Sequence, residues 1–214
     1  MFEEIFKKIR KELDIDDELR ETTLKVSRKS VRFSQEAVRA IHRGELEKAR
    51  ENLKKARSLI QDVEKNIKDA SPQLYYKGYV LIMHQEFVEG SLFLSLIEGE
   101  KEIQGPESLQ VSNYAYLQGL GDLIGELRRY SIDAMRNDNL QRAKNYLENM
   151  KEIYDSLITL DYPEGLISGI RRKVDIARSL IEKTKNDLAY LQFGNKLVDN
   201  INKLIEKLKN TDSN

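Results

Sequence analysis

Apolar residues recur at spacings of three and four along almost the whole chain, without a sustained alternation of apolar and polar positions. This period is that of amphipathic helices and predicts an all-α fold of about seven helices in a helical bundle. Gly44 is expected to end a helix, Ser71-Pro72 to begin one, and the Gly-Pro segment at 99–108 to form a loop. Helices are expected over residues 2–13, 14–44, 45–69, 72–98, 112–135, 140–160 and 164–192, with a last amphipathic segment over 195–208.

The last segment, after a break expected at Gly194, carries an apolar stripe. Its members are Leu197, Ile201, Leu204, Ile205 and Leu208. The stripe either folds back on its own bundle or docks on a partner subunit, since an amphipathic helix after a glycine break is well placed to do so.

Length and composition indicate a single domain over 1–214 that is soluble and cytoplasmic. The 214 residues are enough for one helical core, and the apolar stretches are too short to span a bilayer. With 36 basic and 36 acidic residues the net charge is zero, so any contact with nucleic acid depends on local patches. The chain has no cysteine, which excludes disulfides and thiolate metal sites.

Two pairs of carboxylates lie in apolar surroundings. Glu86 and Glu89 share a face of the predicted 72–98 helix, and Asp122 and Glu126 lie four apart in the next. Burying a carboxylate is costly unless it is ion-paired or binds a metal. The pairs therefore either hold a cation or form ion pairs with bases such as Arg128 and Arg129.

Three glycines surround the second pair, at positions 119, 121 and 125. Each glycine in a helix costs roughly 1 kcal/mol against alanine. We expect them to allow a backbone or a ligand to approach closely.

Carboxylates without cysteine or clustered histidine favour Mg²⁺, Mn²⁺ or Ca²⁺. Neither histidine, His42 or His84, follows a glutamate by three residues, which argues against a di-iron site. Two isolated histidines also argue against a metal-free ribonuclease. We expect His84 in the core or an interface and His42 at the surface, and motifs for a P-loop or a serine hydrolase are missing.

Several segments of the chain resemble the translin/Trax family. Residues 84–90, HQEFVEG, resemble an acidic element of Trax, and residues 121–129, GDLIGELRR, resemble its DLxGEL element, continued by Ser131-Ile132-Asp133. The Tyr75-Tyr76 pair and the stretch 171–191 are also similar to the family, so that the resemblance covers about residues 16–208.

This resemblance implies a seven-helix protein that assembles as a homo-oligomer, most often an octamer, and binds single-stranded RNA and DNA. It implies that Glu86, Glu89, Asp122 and Glu126 hold Mg²⁺, with Mn²⁺ as a substitute, and act in RNA cleavage as in Trax-type subunits. The chain departs from Trax in lacking the long insertion between the two acidic elements. The alternatives are a non-catalytic nucleic-acid-binding scaffold and a purely structural helical adaptor.

Basic residues that would contact nucleic acid form one helical stripe and two smaller groups. The stripe is Arg28, Arg32, Arg39 and Arg43, with Lys29 alongside, and the other candidates are Arg129, Arg171, Arg172 and Lys173. The alternative for the stripe is a solvated face paired with acids such as Glu36. Arg129 is expected either to contact a phosphate or to pair with Glu126.

Overall fold

A computed structural model describes residues 2–67, 71–75, 78–100 and 102–211. In this part of the chain all regular secondary structure is helical, which confirms the predicted fold class. Six helices are long and two are single turns. They are α1 (Phe2–His42), α2 (Leu46–Ile67), α3 (Pro72–Tyr75), α4 (Gly78–Glu98), α5 (Pro106–Leu109), α6 (Asn113–Arg136), α7 (Leu140–Ile158) and α8 (Ile170–Thr211).

The first two predicted helices form one, because the acidic cluster at 14–17 does not interrupt α1. Neither proline nor glycine occurs before Gly44, so nothing in the sequence breaks the helix there. Gly44 has a φ of +74° directly after the end of α1, as expected of a C-terminal glycine.

The predicted break at Gly194 is also wrong, since α8 continues through it to Thr211. A single helical glycine costs only about 1 kcal/mol, which the rest of a 42-residue helix outweighs. The start of this helix is later than predicted, at Ile170, after Gly169 with a φ of +75°.

The contacts within the chain group into two compact units. The first comprises residues 1–123 with 165–167, and the second residues 124–164 with 168–214. The single domain expected from the sequence remains a prediction.

The first unit packs α1 against α2 and α4. Much of the buried face of α1 is small, with Ser27, Ser30 and Ser34 among its members, and the Ser30 hydroxyl donates to the carbonyl of Ala56 over 3.1 Å. Small residues on this face let α2 approach closely. Larger side chains fill the core beside them, Phe93 being fully buried.

The second unit packs α7 against α8. Leu127, Met150 and Ile170 are fully buried there, and the Ser131 hydroxyl donates to the carbonyl of Ala143 over 3.0 Å.

Helix α4 is long and apolar enough to cross a membrane by length and composition alone. However, 61% of its most apolar segment is buried within the protein. In the part of the chain that the structure describes, α4 is therefore a core helix packed against α1 and α2.

Candidate functional site

The first acidic pair, Glu86 and Glu89, lies in the middle of α4 and is half-buried. The residues between them, Phe87 and Val88, are buried in the core. This core packing holds the backbone of α4 rigidly and keeps the two carboxylates at the edge of an apolar region.

Helices α4 and α6 approach each other closely at Gly119. A Cβ built there would lie 2.6 Å from Cγ1 of Val88 and 2.8 Å from the carbonyl oxygen of Gln85, closer than real Cβ contacts come. One of the three glycines of this segment therefore has the predicted role of admitting another backbone. Gly125 does not share it, because a Cβ at that position meets nothing within 4 Å.

One turn after this contact, Asp122 reaches back to α4. The side-chain amide of Gln85 donates a 2.5 Å hydrogen bond to Oδ2 of Asp122. The structure thus brings the acidic element of α6 against the residue that directly precedes Glu86. The sequence prediction gave Gln85 no role, although a side-chain amide next to Glu86 is a group that can donate a hydrogen bond to a carboxylate and orient it.

Glu126 lies on α6 one turn beyond Asp122 and is half-buried. Arg128, a predicted ion-pair partner of the acids, is instead bound to α8: its guanidinium donates to Oγ1 of Thr184 over 2.7 Å and pairs with Asp187 over 3.0 Å. Arg129 is exposed. Arg128 thus stabilises the second unit, and the four acids interact with groups other than Arg128.

The donor set fits a hard cation by its chemistry, because it consists of carboxylates without thiolate or imidazole. Among residues 2–67, 71–75, 78–100 and 102–211, however, no three histidine, aspartate or glutamate side chains converge closely enough to hold a metal. The four acids therefore have the donor chemistry of a hard-cation site, but their described positions do not form a coordination sphere, and the metal site remains a prediction.

The two histidines belong to the core of the first unit. His84 is 4% exposed, which confirms the predicted core position, and its ring lies edge-on to that of Tyr75, with centroids 6.2 Å apart. His42 was expected at the surface but is half-buried, with its ring 5.2 Å from that of Phe93. The prediction failed because His42 occupies the last turn of α1 on its core side.

The basic stripe divides into two parts with different partners. Arg28 and Arg32 are exposed on α1, one turn apart. Arg39 pairs with Glu36 over 2.9 Å, as the alternative interpretation expected, and this guanidinium lowers the pKa of Glu36.

Arg43 follows the end of α1 and belongs to the corner that leads to α2. Its guanidinium binds Glu45 through two hydrogen bonds of 2.8 and 3.2 Å. With a second ion pair from Lys48, this lowers the pKa of Glu45 from its usual 4.5 to about 2. Among the described arginines of the predicted stripe, Arg28 and Arg32 are therefore the two whose guanidinium groups are not ion-paired.

Three of the other basic candidates lie at the start of α8. Arg171 is exposed and pairs with Asp161 over 3.5 Å, Arg172 is exposed, and Lys173 is half-buried. Their role in binding nucleic acid remains a prediction.

Comparison with known proteins shows where this arrangement of helices recurs. The sequence model of the Translin family matches residues 3–190. An uncharacterised protein of Methanocaldococcus jannaschii is 34% identical over 173 residues, which are 80% of this chain and 76% of that protein.

Solved structures with a similar fold include two of AfC3PO. The crystal structure of AfC3PO has a TM-score of 0.79 at 34% identity, and a structure of AfC3PO in complex with duplex RNA has a TM-score of 0.75 at 31% identity. Both matches cover 88% of this chain and 97% of the other. The crystal structure of apo-NeC3PO, with a TM-score of 0.78 at 22% identity, covers 87% of this chain and 96% of the other and shares the fold.

Proposed function

Because the chain belongs to the Translin family, we propose that it binds RNA and hydrolyses single-stranded RNA with the help of Mg²⁺. The similar AfC3PO, whose structure was solved with duplex RNA, supports the RNA-binding part. The cleavage part is supported by one observation above all: the hydrogen bond from Gln85 to Asp122, which joins the two acidic elements.

In this proposal Glu86, Glu89, Asp122 and Glu126 are the ligands of Mg²⁺ or Mn²⁺. The bound ion supplies a Lewis acid and a water of lowered pKa, the two requirements for hydrolysis of a phosphodiester. Gln85 holds the carboxylate of Asp122 in one orientation through its 2.5 Å hydrogen bond. Buried side chains of α4, Phe87 and Val88, lie beside Glu86 and Glu89 and give these carboxylates a partly apolar setting. Because water is the nucleophile, the substrate needs no 2′-hydroxyl, and single-stranded DNA is expected to be cut slowly.

Arg28 and Arg32 are the first candidates for contacts with RNA phosphates. Both are exposed, whereas Arg39 and Arg43 are ion-paired to neighbouring glutamates. An ion pair has to be broken before the arginine binds a phosphate, which reduces the gain from that contact.

Assembly into a homo-oligomer, proposed here as an octamer, would use the C-terminal part of α8. Its apolar stripe is not covered by the described residues of its own chain: Leu197, Ile201, Leu204, Ile205 and Leu208 are between 44 and 65% exposed. This exposure supports docking on a partner subunit over the alternative in which the segment folds back on its own bundle. A stripe of this length on an exposed helix is suited to pairing with a second copy.

A cleavage assay on purified protein tests the proposal. Single-stranded RNA should be cut with Mg²⁺, remain intact with EDTA, and remain intact with Asp122→Asn. The control variant Glu148→Gln removes an exposed carboxylate paired with Lys151 and should cut at the wild-type rate. Binding without cleavage under all conditions would favour the non-catalytic scaffold, which the lack of a converged acidic cluster in the described residues also favours.

A further inference from the structure

The first unit contains a cavity that the proposed RNA chemistry does not use. It lies among α2, α4 and the segment that includes α5, and its volume is about 410 Å³. Pockets that hold small-molecule ligands commonly measure about 300–1,000 Å³. The cavity is therefore large enough for a small organic ligand.

One wall of the cavity is basic. Arg50, Lys54 and Arg57 line it from α2, and their spacing of four and three places them on one helical face. Arg50 is ion-paired with Glu98 and Glu47. No carboxylate of the described residues is ion-paired with Lys54 or Arg57, so these two cations are available to an anionic ligand.

Arg57 is held in place by the protein. It donates a 2.6 Å hydrogen bond to the carbonyl of Leu109, and its guanidinium carbon lies 5.7 Å from the centre of the Phe87 ring. A fixed guanidinium loses little side-chain entropy when it binds an anion.

The opposite wall, on α4, combines hydroxyl groups and apolar surface with the carboxylate of Glu98, which is ion-paired with Arg50, and Glu100 also lines the cavity. Ser91 and Ser95 lie one turn apart and are 8% and 5% exposed, and Phe87 and Leu94 line the cavity beside them. Basic groups facing hydroxyl and apolar groups suit a ligand with a phosphate at one end and an apolar body at the other.

This cavity is separate from the acidic elements. At 100° per residue, Phe87, Ser91 and Ser95 lie on one side of α4, whereas Glu86 and Glu89 lie on the other. A ligand in the cavity therefore does not occupy the position proposed for the metal.

We propose that this cavity binds a small phosphorylated molecule of the nucleoside monophosphate class. Lys54 and Arg57 carry two positive charges, which match the dianion of a phosphate monoester. The hydroxyl groups of Ser91 and Ser95 donate to the remaining phosphate or sugar oxygens. Phe87, Leu53 and Leu94 contact the apolar part of the ligand.

Isothermal titration of the full-length protein with AMP, adenosine and inorganic phosphate tests this assignment. AMP should bind more tightly than adenosine or phosphate alone, because only AMP engages both walls. Lys54→Gln and Arg57→Gln should each weaken AMP binding about tenfold, the loss of one hydrogen bond to a charged group.

Lys65→Gln is the matched control. Lys65 is an exposed lysine on the same face of α2, eleven residues or about 16 Å further along, and it does not line the cavity. Its variant should bind AMP as the wild type does, and so should Asp122→Asn, which separates this site from the proposed nuclease. Lys54 is exposed, so its variant is expected to fold even if that of Arg57 does not. Absence of AMP binding, equal affinity for inorganic phosphate, or unchanged affinity in Lys54→Gln would overturn the proposal.

Discussion

Replacement of Gly119 by alanine tests the contact on which the site depends. The added Cβ would lie 2.6 Å from Cγ1 of Val88 and 2.8 Å from the backbone oxygen of Gln85. A backbone atom in the core of α4 cannot move aside as a flexible side-chain end does. Helices α4 and α6 therefore have to separate at this point.

The expected size of the effect follows from two opposing terms. Overpacking of a close-packed core costs about 1–3 kcal/mol. Alanine in place of a helical glycine gains about 1 kcal/mol. Gly119→Ala should therefore lower the free energy of unfolding by up to about 2 kcal/mol.

Gly125→Ala, six residues further along α6, is the matched control. A Cβ at Gly125 meets nothing within 4 Å, so this variant keeps only the gain in helix propensity. The free energies of unfolding of the two variants should differ by about 1–3 kcal/mol, the cost of overpacking alone. Urea unfolding followed by circular dichroism at one protein concentration measures this difference.

RNA cleavage should distinguish the two variants in the same way as stability does. Gly119→Ala should lengthen the hydrogen bond between Gln85 and Asp122 and reduce RNA cleavage, whereas Gly125→Ala should not. If Gly119→Ala is as stable as Gly125→Ala, the two helices do not approach as described, and the acidic elements are not linked in this way.

Three further predictions concern charge and assembly. Neutralising Arg28 and Arg32 together should make RNA binding less dependent on salt. The slope of log K against log salt concentration should fall by about 0.7 for each phosphate that the protein no longer neutralises. An unchanged slope would place the RNA elsewhere. NMR titration should give a pKa of about 2 for Glu45, and this pKa should rise in Arg43→Gln. Because the pKa is depressed, the contribution of Glu45 to stability is present above pH 4.5 and is lost as the pH falls towards 2. A normal pKa for Glu45 would contradict the ion pair. A chain that ends at residue 194 should form smaller assemblies in light scattering than the full chain, and equal sizes would exclude the part of α8 after residue 194 as the interface.

The helical fold was predictable because the apolar period of 3.6 residues runs through most of the sequence. The errors in the prediction concern the places where helices end. The acidic cluster at 14–17 and the single Gly194 resemble helix ends, yet neither blocks a backbone hydrogen bond, and α1 and α8 continue through them. Local signals of this kind shift helix propensity by about 1 kcal/mol or less, which the rest of a 41- or 42-residue helix outweighs.

Pairing between elements was only partly predictable. The glycines around Asp122 indicated a close approach, and Gly119 provides it. The sequence did not reveal which side chain would meet Asp122, or that Arg128 would bind Asp187 on a helix 59 positions later. Contacts of this separation depend on how helices pack, which no local pattern encodes.

The effect of a divalent cation on the melting temperature tests the proposed metal site most directly. A cation that binds the folded chain alone, at a hundred times its dissociation constant, stabilises it by about 2.7 kcal/mol, or roughly 5–10 °C for a chain of this size. Mg²⁺ and Mn²⁺ should both produce this shift in the wild type, and Asp122→Asn or Glu89→Gln should remove most of it while slightly raising the metal-free melting temperature, because each deletes a repelling charge. A wild-type melting temperature that does not respond to either cation, or an equal response in the variants, would contradict the assignment of these four carboxylates as metal ligands.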